Sequence, residues 1–448
     1  VALTPPAAAQ QAHTTPPARD LRIHAIIDSV SADRIEADIR RLVGFGTRHT
    51  LSDTVSATRG IGAARRWIFG EFQRISAACG GCLEVEYQRY RVEGDPQGRI
   101  REDAWVISVT ATLRGASHPD RYVIMSGDID NRVSGALNAT AENPGANDNA
   151  SGMAGTIEAA RVLTKYGPFD KSIVFAGLAG EEQGLYGGQH LAAKAKAEGW
   201  NIDAVLNNDM IGNIAGLDQV IDNTVFRVFS EPRPPATTEA EWRAIRFYGG
   251  EVDGPSRQVA RYVERITSEY FRNLDAMMIY RLDRFGRGGH HRPFNDQGFP
   301  GVRIMEAHEH YDRQHQDLRT EDGRRYGDVI EFVDFDYARK LTGVNAAVLA
   351  ALAWAPPPPA NLQIGGAVQA SARLRWDVHR APDLAGHKVY WRLTTEPQWT
   401  NWIFIPWNDE AEVRHVMENL VIDNYLFGVA SVDREGHESV VQFPTPGR

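Results

Sequence analysis

Cysteine is nearly missing. The 448 residues hold two, Cys79 and Cys82, in the run CGGC. That excludes a disulfide-knit scaffold and a four-cysteine zinc knuckle, which needs a second pair of thiolates. A redox CxxC opens the helix of a βαβ unit, whereas this one closes a helical stretch, so it reads as a local structural disulfide. Long apolar runs are missing too. None approaches the roughly 18 residues that a membrane-spanning helix needs. Basic charge is in deficit, with 49 Lys and Arg against 58 Asp and Glu and a net charge of −9. That argues against nucleic acid and anionic membranes as partners, because neither is attracted electrostatically. Neither HExxH nor GxxxxGK[ST] occurs, which excludes a thermolysin-type zinc helix and a phosphate loop of that type.

What is present is a globular composition, 42% hydrophobic and 24% charged. The length exceeds one ordinary core and predicts two domains. Residues 1–20, rich in Ala, Pro, Gln and Thr, read as a disordered tail. Their AAAQQ resembles the small-residue end of a secretory signal, and we expect an exported protein, secreted or periplasmic. From Leu21 the pattern turns helical, with Ser31 as a cap and Ile35, Ile39, Leu42 and Val43 on one face. A second helix spans Gly60–Phe72. Beyond CGGC, strands and helices alternate, with strands at Ala104–Leu113, Tyr122–Met125, Ser172–Leu178, Ala204–Leu206 and Gly301–Glu306. Helices fall at Ala150–Tyr166, Tyr186–Gly199, Ser256–Phe271 and Asp334–Leu352. This predicts an α/β domain over residues 21–354, a mostly parallel mixed sheet flanked by helices. APPPPAN, residues 355–361, is a stiff linker. Short alternating strands follow and predict an all-β sandwich over residues 362–448. Its Trp376, KVYWR and YLFGVASVDREGHES resemble a fibronectin type III domain. Trp391, Trp399, Trp402 and Trp407 there either pack a core or offer a surface to a partner or the cell envelope.

Three carboxylate sites follow expected strands: Asp148 in PGANDNASG, Glu181 and Glu182 in GLAGEEQGLYGG, and Asp209 in NNDMIG. In an open α/β sheet, ligand sites gather outside the carboxyl ends of the strands, and hard carboxylates converging there suggest a metal site. Taken alone, an Asp before a helix is a cap, and two adjacent glutamates after a strand are a solvated helix start. Asn138 and Asn149 head formal glycosylation sequons, but modifying Asn149 would block the carboxylate loop.

Together with SGDID, HHRPF and YDRQHQD, these motifs fall in the order and spacing of the co-catalytic zinc aminopeptidases. That family resembles glutaminyl cyclases and the glutamate carboxypeptidase ectodomain in turn. The resemblance covers residues 21–353 and implies a zinc exopeptidase, an aminopeptidase before a carboxypeptidase or a glutaminyl cyclase, acting on peptides. It implies two zinc ions per chain, with manganese or cobalt as substitutes. By the same resemblance Asp148 bridges the ions, Glu182, Asp209 and His315 bind them, and Glu181 is the general base. His308 and His310 compete less well for the place of His315. A different class is represented by the transferrin receptor ectodomain, which resembles this fold but serves binding alone.

The chain departs from the family pattern twice. Relatives carry His-x-Asp where this chain has GDID, so Asp128 takes the metal-binding histidine's place and Asp130 that of the supporting aspartate beside the catalytic Glu181. An aspartate oxygen can bind zinc and makes the site harder. In HHRPF, His290 replaces an aspartate and His291 keeps the family histidine. Gln314 stands where an aromatic often helps polarise the substrate, and His291 and Tyr311 are the expected substrate-binding residues.

Overall fold

The computed structural model describes residues 15–447. The chain divides into two compact units, one of them Leu21–Trp354. The other runs from Ala355 to the C-terminus and takes in residues 15–20. Most of the expected disordered tail, residues 1–14, lies outside the described residues.

The first unit is centred on an eight-stranded mixed sheet. Its strands are β1 (Leu83–Val92), β2 (Ala104–Leu113), β3 (His118–Asp128), β4 (Lys171–Leu178), β5 (Asn201–Asn208), β6 (Val225–Phe229), β7 (Asp275–Ile279) and β8 (Gly301–Glu306). They lie in the order β1-β2-β4-β3-β5-β8-β6-β7. The centre is parallel: β3 pairs with β4 and β5, and β5 with β8, all in the same direction. The hairpin β1–β2 adds antiparallel strands at one side. Helices are α1 (Arg22–Ser29), α2 (Ala32–Val43), α3 (Gly60–Ala78), α4 (Gly152–Leu163), α5 (Glu181–Gly184), α6 (Tyr186–Ala197), α7 (Glu239–Tyr248), α8 (Pro255–Tyr270), α9 (His291–Asp296) and α10 (Phe335–Trp354).

Strand alternation feeds two layers. Ile124, Val174, Ala176 and Val205 pack with Leu191, Ala192 and Ala195 of α6 and Phe294 of α9. Helices α4 and α10 pack on β3 and on each other. Every residue of α10 from Leu341 to Trp354 is buried, which is why VNAAVLAALAW has no polar stripe. Helix α2 begins where Ser31 accepts a hydrogen bond from the Arg34 amide at 3.3 Å, and it buries Ile35, Ile39 and Leu42. Helix α3 runs further than its expected end and stops at the Cys79–Cys82 disulfide, whose Cα atoms are 5.6 Å apart.

Several elements escaped the sequence reading, among them α7, β6 and β7. Helix α7 has a capping box between Thr238 and Glu241 and carries Trp242, Ile245 and Tyr248 at helical spacing, yet it buries no residue. Strand β7 sits at the sheet's edge and buries none of its five residues fully. Strand β6 is equally short and carries Arg227 in its middle.

The second unit is a two-sheet sandwich. One sheet joins β11 (Ala360–Gly365), β12 (Ala372–Asp377), β15 (Glu412–Met417) and β17 (Thr445–Pro446), and the other β13 (Leu384–Leu393), β14 (Asn401–Pro406) and β16 (Tyr425–Asp433). The short hairpin β9 (Arg319–Glu321) and β10 (Arg324–Tyr326) belongs to the first unit. Trp376 is fully buried between the sheets, among Leu374, Val389, Met417 and Val429. Trp391 and Trp399 pack against core clusters, while Trp402 is 45% exposed.

At the edge of the parallel strands away from their carboxyl ends, Asp203 is the extra residue where the β3–β5 register shifts. It binds the fully buried Lys171 at 2.8 Å and also pairs with Arg121. Burial alone would raise its pKa, but Lys171 and Arg121 outweigh it and hold the carboxyl below its ordinary value. A depressed carboxylate stabilises above its unfolded pKa, near 4, and the effect fades as pH falls through the folded value. We expect Asp203→Asn, which removes the carboxylate paired with the buried Lys171 and Arg121, to cost about 3 kcal/mol at pH 7. Urea unfolding at pH 7 and pH 3 checks this, and the gap to wild type should narrow in acid.

Candidate metal centre

Because β3, β4 and β5 run parallel, the residues that leave their carboxyl ends emerge on one side of the sheet. Asp128 ends β3, Glu181 and Glu182 open α5 after β4, and Asp209 follows β5. Asp148 comes from the irregular turn Ala146–Ser151 in front of α4.

That turn is held from every side. Arg48, fully buried, donates to the carbonyls of Pro144 at 2.6 Å, Gly145 at 2.7 Å and Ile129 at 3.0 Å. Asp328 accepts the amides of Asn147 at 2.9 Å and Asp148 at 2.6 Å. The Asn147 side chain donates to Glu306 at 2.8 Å, and Asn149 donates to the Asn208 carbonyl at 2.8 Å. Gly152 lies so close to β5 that an added Cβ would stand 2.2 Å from the Asn208 carbonyl, so the residue after ANDNAS has to be glycine.

The two glutamates are set by Asp130, which accepts the Glu181 amide at 3.2 Å and the Glu182 amide at 3.1 Å. Thr50 donates to Asp130 at 2.7 Å and fixes it in turn. Gly180, at φ 78°, makes the left-handed entry to α5.

His315 meets this group from a loop. Its Nε2 lies 2.9 Å from Asp148 Oδ2 and 3.0 Å from Glu182 Oε1. Asp148, Glu182 and His315 each bring one ligand atom within 4.8 Å of the others. Glu182 Oε1 is buried, and at this meeting point it faces His315 Nε2. One nitrogen and two carboxylate oxygens are a donor set for a divalent cation. Arg132 backs the cluster, with Nε 2.8 Å from Glu182 Oε2 and Nη2 2.6 Å from His315 Nδ1.

Asp128 and Asp209 are engaged elsewhere. Asp128 Oδ1 lies 2.6 Å from His290 Nδ1, and its Oδ2 accepts from Asn149 at 2.6 Å. Asp209 Oδ2 pairs with the Arg303 guanidinium at 2.7 Å. His291 turns to the Leu282 carbonyl at 2.8 Å, and Tyr311 is exposed, so neither lines the cavity over the cluster. His308 pairs with Asp218, and His310 lies near Asp312. Arg132 and Arg303 were missed from the sequence. Arg303 left a readable sign, a charged residue between the apolar Val302 and Ile304 of the strand GVRIME.

So many buried carboxylates cannot all ionise without counter-charge. Burial pushes Asp128 up to about 8, Asp209 to about 7 and Asp130 to about 6. Burial and the neighbouring Glu182 push Glu181 well above the carboxylate range. Burial alone would lower His315, but Glu182 and Asp148 outweigh it and raise the imidazole to about 9. Asp148 is the converse case: burial acts upward, and His315 brings it below its ordinary value. Burial lowers His290 to about 4, so it is neutral beside Asp128 at pH 7.

The cluster opens into a cavity of about 750 Å³. Arg99, Arg132, Arg284, Arg287 and Arg292 line it, with Glu181 and Asp296 among the facing carboxylates.

The sequence profile described as peptidase family M28 matches residues 108–333. A probable zinc metalloprotease of Pyrenophora tritici-repentis is 40% identical over 435 residues, spanning 96% of this chain and 88% of that protein. Another, of Leptosphaeria maculans, is 41% identical over 433 residues, spanning 96% of this chain and 98% of that one. Among solved structures, the LapA aminopeptidase of Legionella pneumophila aligns with a TM-score of 0.52 at 17% identity, over 76% of this chain and 77% of its own. At that identity the likeness speaks to the fold alone.

Asp328 accepts two buried amides of the turn that carries Asp148. Asp328→Ala leaves both without a partner, and we expect a loss of about 2–4 kcal/mol in urea unfolding. A loss under about 1 kcal/mol would mean that the turn holds its shape without this carboxylate.

Proposed function

The chain belongs to peptidase family M28, and from that premise we propose a zinc-dependent exopeptidase, in the first place an aminopeptidase. The observation that carries the reading is the meeting of Asp148, Glu182 and His315 at the floor of a cavity that Glu181 also lines. Zinc suits a set of one imidazole and two carboxylates, and the likeness to probable zinc metalloproteases supports that metal. Manganese and cobalt fit the same donors. When bound, zinc supplies Lewis acidity to a peptide carbonyl and acidifies water.

The chain's own residues do the rest. Glu181 takes a proton from the attacking water and hands it to the nitrogen of the leaving amine. Asp130 is a positioning residue, because its two oxygens fix the amides of Glu181 and Glu182. Arg132 holds Glu182 and His315 in their shared orientation.

A second reading has an observation of its own. A free amino terminus calls for acidic partners, yet five arginines line this cavity. Those cations suit a carboxylate, either the carboxyl end of a peptide or an acidic side chain. Arg132, Arg284 and Arg287 already hold carboxylates of the protein, whereas Arg292 is exposed and the most available of the five.

We read the second unit as a fibronectin type III-like accessory module over residues 362–448, joined through 355–361. The Cys79–Cys82 disulfide supports an oxidising compartment, and hence export. No helix among the described residues is long and apolar enough to cross a membrane.

The test is a substrate panel. Aminoacyl p-nitroanilides should be cleaved and their N-acetylated forms spared. Glu181→Gln should lower kcat on the order of 10³-fold with the zinc content unchanged. Activity surviving in that variant would remove Glu181 from the base role. For the second reading, N-blocked peptides with a free carboxyl end are compared with their amides. Arg292→Ala should then reduce kcat/KM about tenfold on the free acids only. Equal loss on the amides would leave Arg292 without a carboxylate partner.

A further inference from the structure

We propose that this centre holds one divalent ion, and that the buried guanidinium of Arg303 takes the place of a second cation beside Asp209. The inference rests on the metallopeptidase reading above and concerns how many ions that site takes. The family resemblance points to five ligand positions, Asp128, Asp148, Glu182, Asp209 and His315. Among the described residues of this unit, Asp148, Glu182 and His315 form the one group whose ligand atoms converge.

The other two are occupied by protein groups. Arg303 is fully buried on β8, the strand next to β5, and places Nη2 2.7 Å from Asp209 Oδ2. Asp283 at 3.0 Å and the Gly288 carbonyl at 2.6 Å hold the same guanidinium from its other side. It is therefore a fixed charge rather than a mobile one. Asp128 has both oxygens engaged, one by His290 and one by Asn149, each at 2.6 Å. Where the family has an imidazole free to bind metal, this chain has a carboxylate inside a hydrogen-bonded pair.

The electrostatics point the same way. Two cations about 3.5–4 Å apart are tolerated when bridging and terminal anions offset their repulsion. Here the Arg303 charge already offsets Asp209. A second divalent ion would meet that charge and would have to break the Asp128 pair as well. The remaining set suffices for catalysis by one ion, since three protein ligands with an open fourth position is the arrangement of mononuclear zinc hydrolases. The three residues that would hold the ion line the same cavity as Glu181.

The experiment is a zinc titration of the metal-stripped full chain by calorimetry, with metal content measured by mass spectrometry after dialysis. One ion per chain is expected. Two ions would overturn the proposal and leave the metallopeptidase reading intact, whereas none would remove the reading beneath it. Asp209→Asn and Asp128→Asn, checked for folding by circular dichroism, should each still bind one ion. His315→Ala should weaken binding on the order of 100-fold. Loss of the ion in Asp209→Asn would make Asp209 a ligand and overturn the assignment of Arg303.

Discussion

Buried negative charge is the constraint on which the rest of the first unit depends. Parallel strands deliver Asp128, Glu181, Glu182 and Asp209 to one edge of the sheet, and the turn before α4 adds Asp148. Each is partly or wholly removed from water, so each must find a positive partner or a proton. The fold supplies such partners from separate directions: Arg303 from β8, Arg132 from the loop after β3, and His315 from the loop before β9. Asp148 Oδ2 and Glu182 Oε1 both turn to His315 Nε2, and these three atoms are the donor set that suits a divalent cation.

Holding charges this close requires a backbone that cannot drift. The turn carrying Asp148 is fixed less by its own conformation than by what surrounds it. Arg48 gathers two carbonyls at its entrance, Asp328 gathers two amides, and Asn147 and Asn149 bridge to neighbouring elements. Gly152 then lets α4 begin against β5. The same contacts that seat α4 on the sheet therefore also place Asp148. Site and core are one packing problem here, and a change that loosens the turn loosens both.

The sequence made the frame legible. Strands of the parallel centre read as apolar runs because both their faces are covered, and the carboxylates that follow them stand in recognisable motifs. What it hid were elements that bury little, such as α7 and the edge strand β7. It also hid contacts between residues far apart in the chain. Arg132 sits two residues past Asp130 and reads as a surface cation, yet it binds His315 from 183 positions away. Which histidine of EAHEHYDRQHQD meets the carboxylates is likewise set by how a loop folds back. A motif states which residues are chemically able, and the topology decides which of them meet.

The two departures from the family pattern show this most clearly. Along the chain they look independent: an aspartate where a histidine is usual, at 128, and a histidine where an aspartate is usual, at 290. In space they are one pair, with Asp128 Oδ1 and His290 Nδ1 2.6 Å apart and both side chains buried. A buried histidine–carboxylate contact joins the two positions. The change at 128 is not neutral, because the two groups differ in what they have left to give. An imidazole bonded through one nitrogen still has a second for a metal, whereas Asp128 spends its other oxygen on Asn149. Asn149 in turn ties the Asp148 turn to β5, so freeing Asp128 for a metal would also disturb the residue next to Asp148. The substitution at 128 is thus locked in by the pair it forms and by the turn it supports. Beside it, Arg303 is the cation in place to balance the charge of Asp209.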